Sequence, residues 1–412
     1  MSDDLILFQN GLLVDGSRPE PVGEVNVLVE GGRIREVSDQ VISANGAEVI
    51  DLKGKTIMPG LIDLHIHPFL TKMKLSLLEE TPITLITAQA KGILEKALNR
   101  GFTTIRDASG ADWGLKQAVE DGLLTGPRLF ISGRALSQTG GHADHRRRTD
   151  DSMVCSCGSA LGLTSRLADG VDQVRHAVRD EMRKGADQIK VMVSGGVSSP
   201  HDPLEGCQYS MDELEAIVDE TTRWGTYVMA HAYSAEAITR ALKAGVRSIE
   251  HGNLIDKDAA KLVVEKDAYV VPTLVAYEAL ERFAEQEGYS VSMLDKLDKV
   301  KHAGLRALEI CRAAGVKMGF GTDLIGDTHD LQSLEFEIRA EVLPAHEIIA
   351  SATRIGAEIL CREGELGVVA PGAIADILVV NGNPLENISL LAGQGEHLPA
   401  IMKAGAFHKN TL

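Results

Sequence analysis

The chain has 412 residues, 44% hydrophobic and 25% charged, the balance of a globular protein with a large core. Its 42 Lys and Arg against 59 Asp and Glu leave a net charge of −17, which argues against nucleic acid or an anionic membrane surface as main partner. No apolar run reaches the ~18 residues of a membrane span, and MSDDLILFQNGLL lacks the basic start and long apolar stretch of a signal peptide.

The cysteines, Cys155, Cys157, Cys207, Cys311 and Cys361, are odd in number and scattered, which suits a reducing compartment. The expected location is the cytoplasm, or the periplasm or exterior for a form processed from a longer precursor. Cys155-Ser156-Cys157 has metal-binding character but no second close pair beside it.

From Leu5 to about Ile57 the chain reads as short strands with turns, and Asn10-Gly11 and Gly31-Gly32 are hairpin-type turn signals. From Pro59 the pattern changes to alternating strands and amphipathic helices. Ile57 to Leu64 is the first strand. Helices near 84–100 and 115–124 precede strands at 102–106 and 128–132. A polar, glycine-rich insertion follows from Gly133 to about Asp169, holding GGHADHRRR. The later strands fall at 188–193, 227–232, 247–251, 269–272 and 317–322, each after a helical stretch. Eight alternating units over ~300 residues imply a parallel sheet closed into a (β/α)8 barrel. An open doubly wound sheet would place a glycine fingerprint for phosphate after its first strand, and none follows His67. After helices near 334–341 and 346–360, β signals return, and the two chain ends together suit one small sheet domain.

Side chains two apart on a strand share a face, so Asp63-Leu64-His65-Ile66-His67 aims two imidazoles at one point. Neutral imidazole is the commonest metal ligand. His231 ends the strand in YVMAHAY, His251 ends that in SIEHGN, and Asp323 ends that in MGFGTD. Strand ends of this kind converge on one face of a barrel. Lys190 stands in the apolar strand QIKVMV. A lysine there is costly unless matched or neutral, and burial lowers its pKa towards the neutral amine. A neutral amine adds carbon dioxide to become a carbamate, an anionic ligand with two oxygens able to bridge two metals. The bland alternatives are a strand-end histidine that merely makes a hydrogen bond, an Asp323 that caps a helix, and a Lys190 paired with a nearby carboxylate.

The motifs PGLIDLHIH, IKVMVSGG, VMAHAY, EHG, GTD and PGAIADILVVNGNPLENI, taken together, resemble the amidohydrolase superfamily over essentially the whole chain. The resemblance implies a (β/α)8 TIM barrel over 58–362 with a small β-sandwich built from 1–57 and 363–412. It implies that His65, His67 and Asp323 hold one divalent ion, that His231 and His251 hold a second, and that N6-carboxylated Lys190 bridges them. Zinc suits these ligands, with manganese, cobalt or iron as alternatives. A homo-oligomer, in one form an octamer, is the assembly it implies.

The GGHAD loop and HAYS segment resemble a narrower branch, the imidazolonepropionase-like group with Xaa-Pro and Xaa-amino-acid dipeptidases and ochratoxin amidases. This implies that His142 and Tyr233 contact the scissile carbonyl or the substrate carboxylate. The expected function is a binuclear amidohydrolase cleaving an amide bond to a C-terminal amino acid, in a dipeptide, an N-acyl amino acid or an ochratoxin A-type amide, by metal-activated hydroxide. Asp323 would act as base, with Tyr233 or His142 donating to the oxyanion. Arg146, Arg147 and Arg148 are candidates to bind the substrate carboxylate, Arg146 first, although a solvated loop face explains the run as well. The alternatives are an Xaa-Pro dipeptidase proper, a mononuclear imidazolonepropionase or deaminase-type ring hydrolase, and a non-catalytic scaffold. The His-x-x-Glu of deaminases is absent, since Ala232, Tyr233 and Ser234 follow His231.

Overall fold

The computed structural model describes residues 5–152, 161–199, 202–284 and 288–412, so Cys155-Ser156-Cys157 lies outside the described residues. The first strands are β1 (Leu5–Leu13), β2 (Gly23–Glu30), β3 (Arg33–Ser38), β4 (Glu48–Asp51) and β5 (Thr56–Pro59). The middle of the chain holds β6 (Leu61–Ile66), β7 (Phe102–Asp107), β8 (Arg128–Phe130), β9 (Ala135–Ser137), β10 (Ser165–Leu167) and β11 (Ile189–Met192). It continues with β12 (Val228–Ser234), β13 (Ser248–Leu254) and β14 (Tyr269–Val271), and the end holds β15 (Ile377–Val380), β16 (Ala400–Lys403) and β17 (Ala406–Asn410). Among the described residues there are two compact units, Met1–Asp63 with Glu95–Thr104 and Ser333–Leu412, and Leu64–Leu94 with Ile105–Gln332.

The first unit is organised on an eight-stranded sheet in the order β17-β16-β15-β5-β1-β2-β3, with β4 beside β1. The two ends of the chain meet where β15 runs antiparallel to β5, Val379 opposite Ile57. Period-two alternation sorts the side chains. Phe8, Val27, Ile57, Val379 and Met402 share one core cluster, while Leu7, Leu28 and Ile42 form another.

Gly31 and Gly32, both at positive φ (55° and 85°), make the turn between β2 and β3. The Asn10-Gly11 signal makes no turn. It is a bulge within β1, with Asn10 at φ 56°. There β1 changes its parallel partner, pairing with β4 through residues 6–9 and with β5 through residues 12–13. The strand expected as one piece from Ile57 to Leu64 is broken at Gly60 into β5 and β6, which join different sheets. A Cβ at Gly60 would lie 2.1 Å from Thr103 Oγ1, an approach only glycine allows.

The second unit carries a six-stranded parallel sheet, β10-β9-β11-β12-β13-β14, and most of a three-stranded one, β6-β7-β8. Every residue of β11, β12 and β14 is buried, as for strands covered on both faces. The glycine-rich insertion is not structureless, since it supplies β9 and β10, and β9 pairs with β11. The last expected strand, 317–322, is an extended segment bonded on both sides. Gly319 N donates to Val270 O on β14, while Leu64 N donates to Phe320 O and Thr322 N to His65 O along β6. On the other side of β6, Ala108 N donates to Ile66 O, Gly110 N to Gly133 O, and Asp187 N to Ile131 O.

Local signals set the helix ends. Ser210 and Glu213 form a reciprocal capping box on the helix Met211–Arg223. Ser234, the last residue of β12, caps the helix Ala235–Ala244, which Gly245 closes at φ 97°. Ser290 caps the helix Val291–Ala314. No described helix is long and apolar enough to cross a membrane.

Candidate active site

Parallel strands deliver their C-terminal residues to one edge. Here β6 brings His65, with His67 just beyond it, β11 brings Lys190, β12 brings His231, and β13 brings His251. Asp323 follows the extended segment 317–322. All six side chains line one cavity of about 640 Å³ in the second unit.

His65, His67 and Asp323 offer ligand atoms that all lie within 4.8 Å of one another. Asp323 Oδ1 is 3.0 Å from His67 Nε2 and 3.4 Å from His65 Nε2. Asp323 Oδ2 is 3.8 Å from His251 Nδ1. Lys190 Nζ is 3.4 Å from His65 Nε2. The rings of His251 and His231 meet edge to face with centroids 4.6 Å apart. His251 and Asp323 adopt positive φ (72° and 54°), rare for such residues and costly unless the surroundings impose it.

A second layer aims these rings. His65 Nδ1 donates to Glu250 Oε2 at 2.7 Å, and Arg106 Nη2 donates to Glu250 Oε1 at 2.9 Å. His67 Nδ1 donates to Ser109 O at 3.1 Å, and His231 Nε2 to Gly195 O at 3.1 Å. His251 Nδ1 meets the Thr273 hydroxyl at 2.8 Å. Each ring therefore has one nitrogen occupied by a hydrogen-bond partner, and His65 and His67 turn the other, Nε2, towards Asp323, as metal-ligating histidines do. The donor set of imidazoles, a carboxylate and a lysine fits a divalent-ion centre.

Burial controls the charges. It pulls the Lys190 ammonium down to about 8, although Glu250 and Asp323 oppose it. Burial alone would raise the Asp323 carboxyl, but His65, His67 and His251 hold it well below the usual range. Burial, with His142 next, keeps His231 well below an ordinary imidazole, and burial does the same for His251. Burial disfavours a charged His67, yet the Asp323 hydrogen bond raises its pKa. Glu250 is held at about 2 against burial, by Arg106 and then His65.

His142 lines the same cavity and stacks on His231, centroids 4.4 Å apart and planes 19° apart. Its Nδ1 donates to Ser199 Oγ at 3.0 Å, and the Ser199 hydroxyl donates to Asp202. Tyr233 stands 5.2 Å from His251, ring to ring. Tyr277 Oη lies 3.2 Å from Tyr233 Oη and 3.0 Å from Asn253 Oδ1. Burial, then Tyr277, pushes the Tyr233 phenol well above its ordinary pKa, so it keeps its proton.

Arg146 and Arg147 also line the cavity. The Arg146 guanidinium is already bound bidentately by Asp144, at 2.8 and 2.7 Å, and Arg147 pairs with Asp150. Arg148 is exposed and is not among the lining residues.

Several contributors are not among the residues singled out from the sequence. Glu250 and Arg106 are fully buried charges, but their strands, FTTIRD and SIEHGNL, are mixed in polarity and do not set them off as the apolar strand of Lys190 does. Asp107, at the end of β7, is raised to about 7 by burial, with His67 opposing. Ser199, Asp202 and Tyr277 carry no such signal: only the fold brings Ser199 and Tyr277, the latter on the helix Leu274–Phe283, to the cavity, with Asp202 against Ser199.

Residues 56–404 match the amidohydrolase family. The chain is 31% identical to the ochratoxinase of Aspergillus niger, across 97% of this chain and 85% of that protein. Among solved structures, an amidohydrolase shares 54% identity and superposes with a TM-score of 0.95, covering 99% of this chain and 100% of that one. A prolidase solved with N-methylphosphonate-L-proline shares 49% identity at a TM-score of 0.95, covering 98% and 100% of the two chains. With the match spanning most of its length, the chain belongs to the amidohydrolase family.

Proposed function

We propose that the protein is a binuclear metal-dependent hydrolase of amide bonds to a C-terminal amino acid, acting on dipeptides or N-acyl amino acids, ochratoxin A-type amides included. The observation that carries the reading is the convergence of His65, His67, Lys190, His231, His251 and Asp323 on one cavity. Likeness to an ochratoxinase and a prolidase supports the substrate class. We read the parallel strands of the second unit, with the segment 317–322, as a closed (β/α)8 barrel, and the eight-stranded sheet as the body of a β-sandwich. The hydrogen bonds that run from β14 through 317–322 to β6, and on through β7 and β8 to β11, support the barrel.

His65, His67 and Asp323 would hold one ion, His231 and His251 the other, with Lys190 as carbamate between them and zinc the metal these donors suit. When bound, the ions supply Lewis acidity and a water acidic enough to lose its proton near neutral pH. Asp323, a carboxylate touching three of the histidines, is placed to take that proton and return it to the leaving amine nitrogen. Tyr233, kept protonated by burial, donates to the oxygen that becomes negative as the amide carbon turns tetrahedral, a contribution of about 3 kcal/mol. His142, stacked on His231 and tied back through Ser199 to Asp202, would be a second donor, from Nε2, in its imidazolium form with both ring nitrogens protonated. Arg146 reaches a substrate carboxylate by sharing its guanidinium with Asp144.

The test is a mass-spectrometric screen of Xaa-Pro dipeptides, other dipeptides, N-acyl amino acids and ochratoxin A against zinc-loaded protein. The expected result is release of the free C-terminal amino acid from at least one class, with kcat/KM on the order of 10⁴ M⁻¹s⁻¹ or above. Protein carrying two ions per chain that cleaves none of these amides would overturn the reading.

A further inference from the structure

Outside the ligand cluster, one cation is built into the wall behind His142. Lys296, on the helix Val291–Ala314, donates from Nζ to three backbone oxygens, Gly196 O at 3.1 Å, Ser199 O at 2.9 Å and Asp202 O at 2.6 Å. An ammonium has three N–H donors, and these three carbonyls use them all. Converging carbonyl oxygens are the donor set that takes the place of water around a potassium ion.

The segment that supplies these carbonyls also fixes His142. Ser199 accepts from His142 Nδ1, and Asp202 Oδ2 lies 3.5 Å from the same nitrogen. Gly196 lies against the ring so closely that a Cβ there would be 2.0 Å from His142 Cε1. Gly196 N in turn donates to Asp202 Oδ2 at 3.1 Å. A displacement of the segment would therefore move the His142 ring, its acceptor and its carboxylate together. Lys299, one helical turn on, pairs with Glu205 and ties the same connection a second time.

We propose that Lys296 is a positioning residue whose ammonium fills a carbonyl nest of the kind that binds a monovalent cation, and so holds the segment that aims His142 into the cavity. Its effect on turnover rests on the reading of that cavity as the amidohydrolase site; its effect on the loop does not.

The test uses the full-length protein with Lys296→Met, and Lys301→Met on the same helix as control, since Lys301 pairs instead with Glu278 and Glu281. Hydrogen exchange by mass spectrometry should show peptides spanning Val193–Gln208 exchanging about tenfold faster in K296M and unchanged in K301M. Excess ammonium or potassium chloride should restore the protection, and the bulky cation N-methylglucamine should not. On a dipeptide that the wild type cleaves, kcat/KM should fall by roughly 10- to 100-fold and recover with ammonium. Unaltered exchange in K296M, or faster exchange that neither small cation reverses, would overturn the proposal. If K296M does not fold, Lys296→Gln is read by the same criteria. If the wild type cleaves no amide, the functional reading fails while the exchange measurements still decide this one.

Discussion

Asp323→Asn is expected to lower kcat by about 10³-fold or more while the protein keeps most of its metal. Asparagine has the same size and keeps a ligating oxygen. What it loses is the negative charge and the capacity to carry a proton from water to the leaving nitrogen. The fold keeps that charge in place: burial alone would raise the Asp323 carboxyl, and His65, His67 and His251 instead hold it well below the usual range, so it stands as the carboxylate. The side chain is held at positive φ against those rings, so little rearrangement is available to replace it. Steady-state kinetics on a cleaved substrate, with metal analysis of the same sample, measure the effect. An unchanged kcat would remove Asp323 as the base.

Lys190→Ala is expected to abolish activity to below about 10⁻⁴ of wild type and to lower the metal content with it. Lys190 is 2% exposed in a strand whose every residue is buried. A permanently charged ammonium there would repel divalent ions. With burial pulling its pKa to about 8, a useful fraction is neutral amine near neutral pH. In the proposed centre the amine nitrogen would form a bond to the carbon of carbon dioxide and give up one proton, leaving an anionic carbamate. Alanine can do none of this. Acetate, which offers two oxygens on one carbon, should restore part of the metal content and activity. Full activity with normal metal content in K190A would refute the role.

Much of the fold was legible because its signals are local. Alternation of strand and helix, cap residues such as Ser210 and Ser234, and glycines such as Gly245 are read off adjacent positions. His65, His67, His231, His251 and Asp323 were visible because each sits at the end of a strand-like run. Lys190 was visible because it interrupts an apolar one. That rule does not reach Arg106 and Glu250, whose mutual pairing inside buried strands of mixed polarity aims His65.

What could not be read depends on contacts between distant loops. Asn10-Gly11 has turn chemistry, but two partner strands competing for β1 make it a bulge. Gly60 breaks a strand because Thr103 packs against it. In the 133–169 insertion, β9 and β10 are three residues each, too short for their period to stand out among polar neighbours. Arg146 was a cation with no visible partner until the loop folded it against Asp144. Lys296 meets carbonyls about a hundred residues away in sequence, and carbonyls carry no residue identity to read.

The most direct measurement is the metal content of the purified wild-type protein, by inductively coupled plasma mass spectrometry against protein quantified by amino-acid analysis. A pair of ions in each polypeptide is expected. A hydrolytically competent wild type that holds a single ion per polypeptide, with all its activity intact, would contradict the account and return the protein to the mononuclear ring hydrolases.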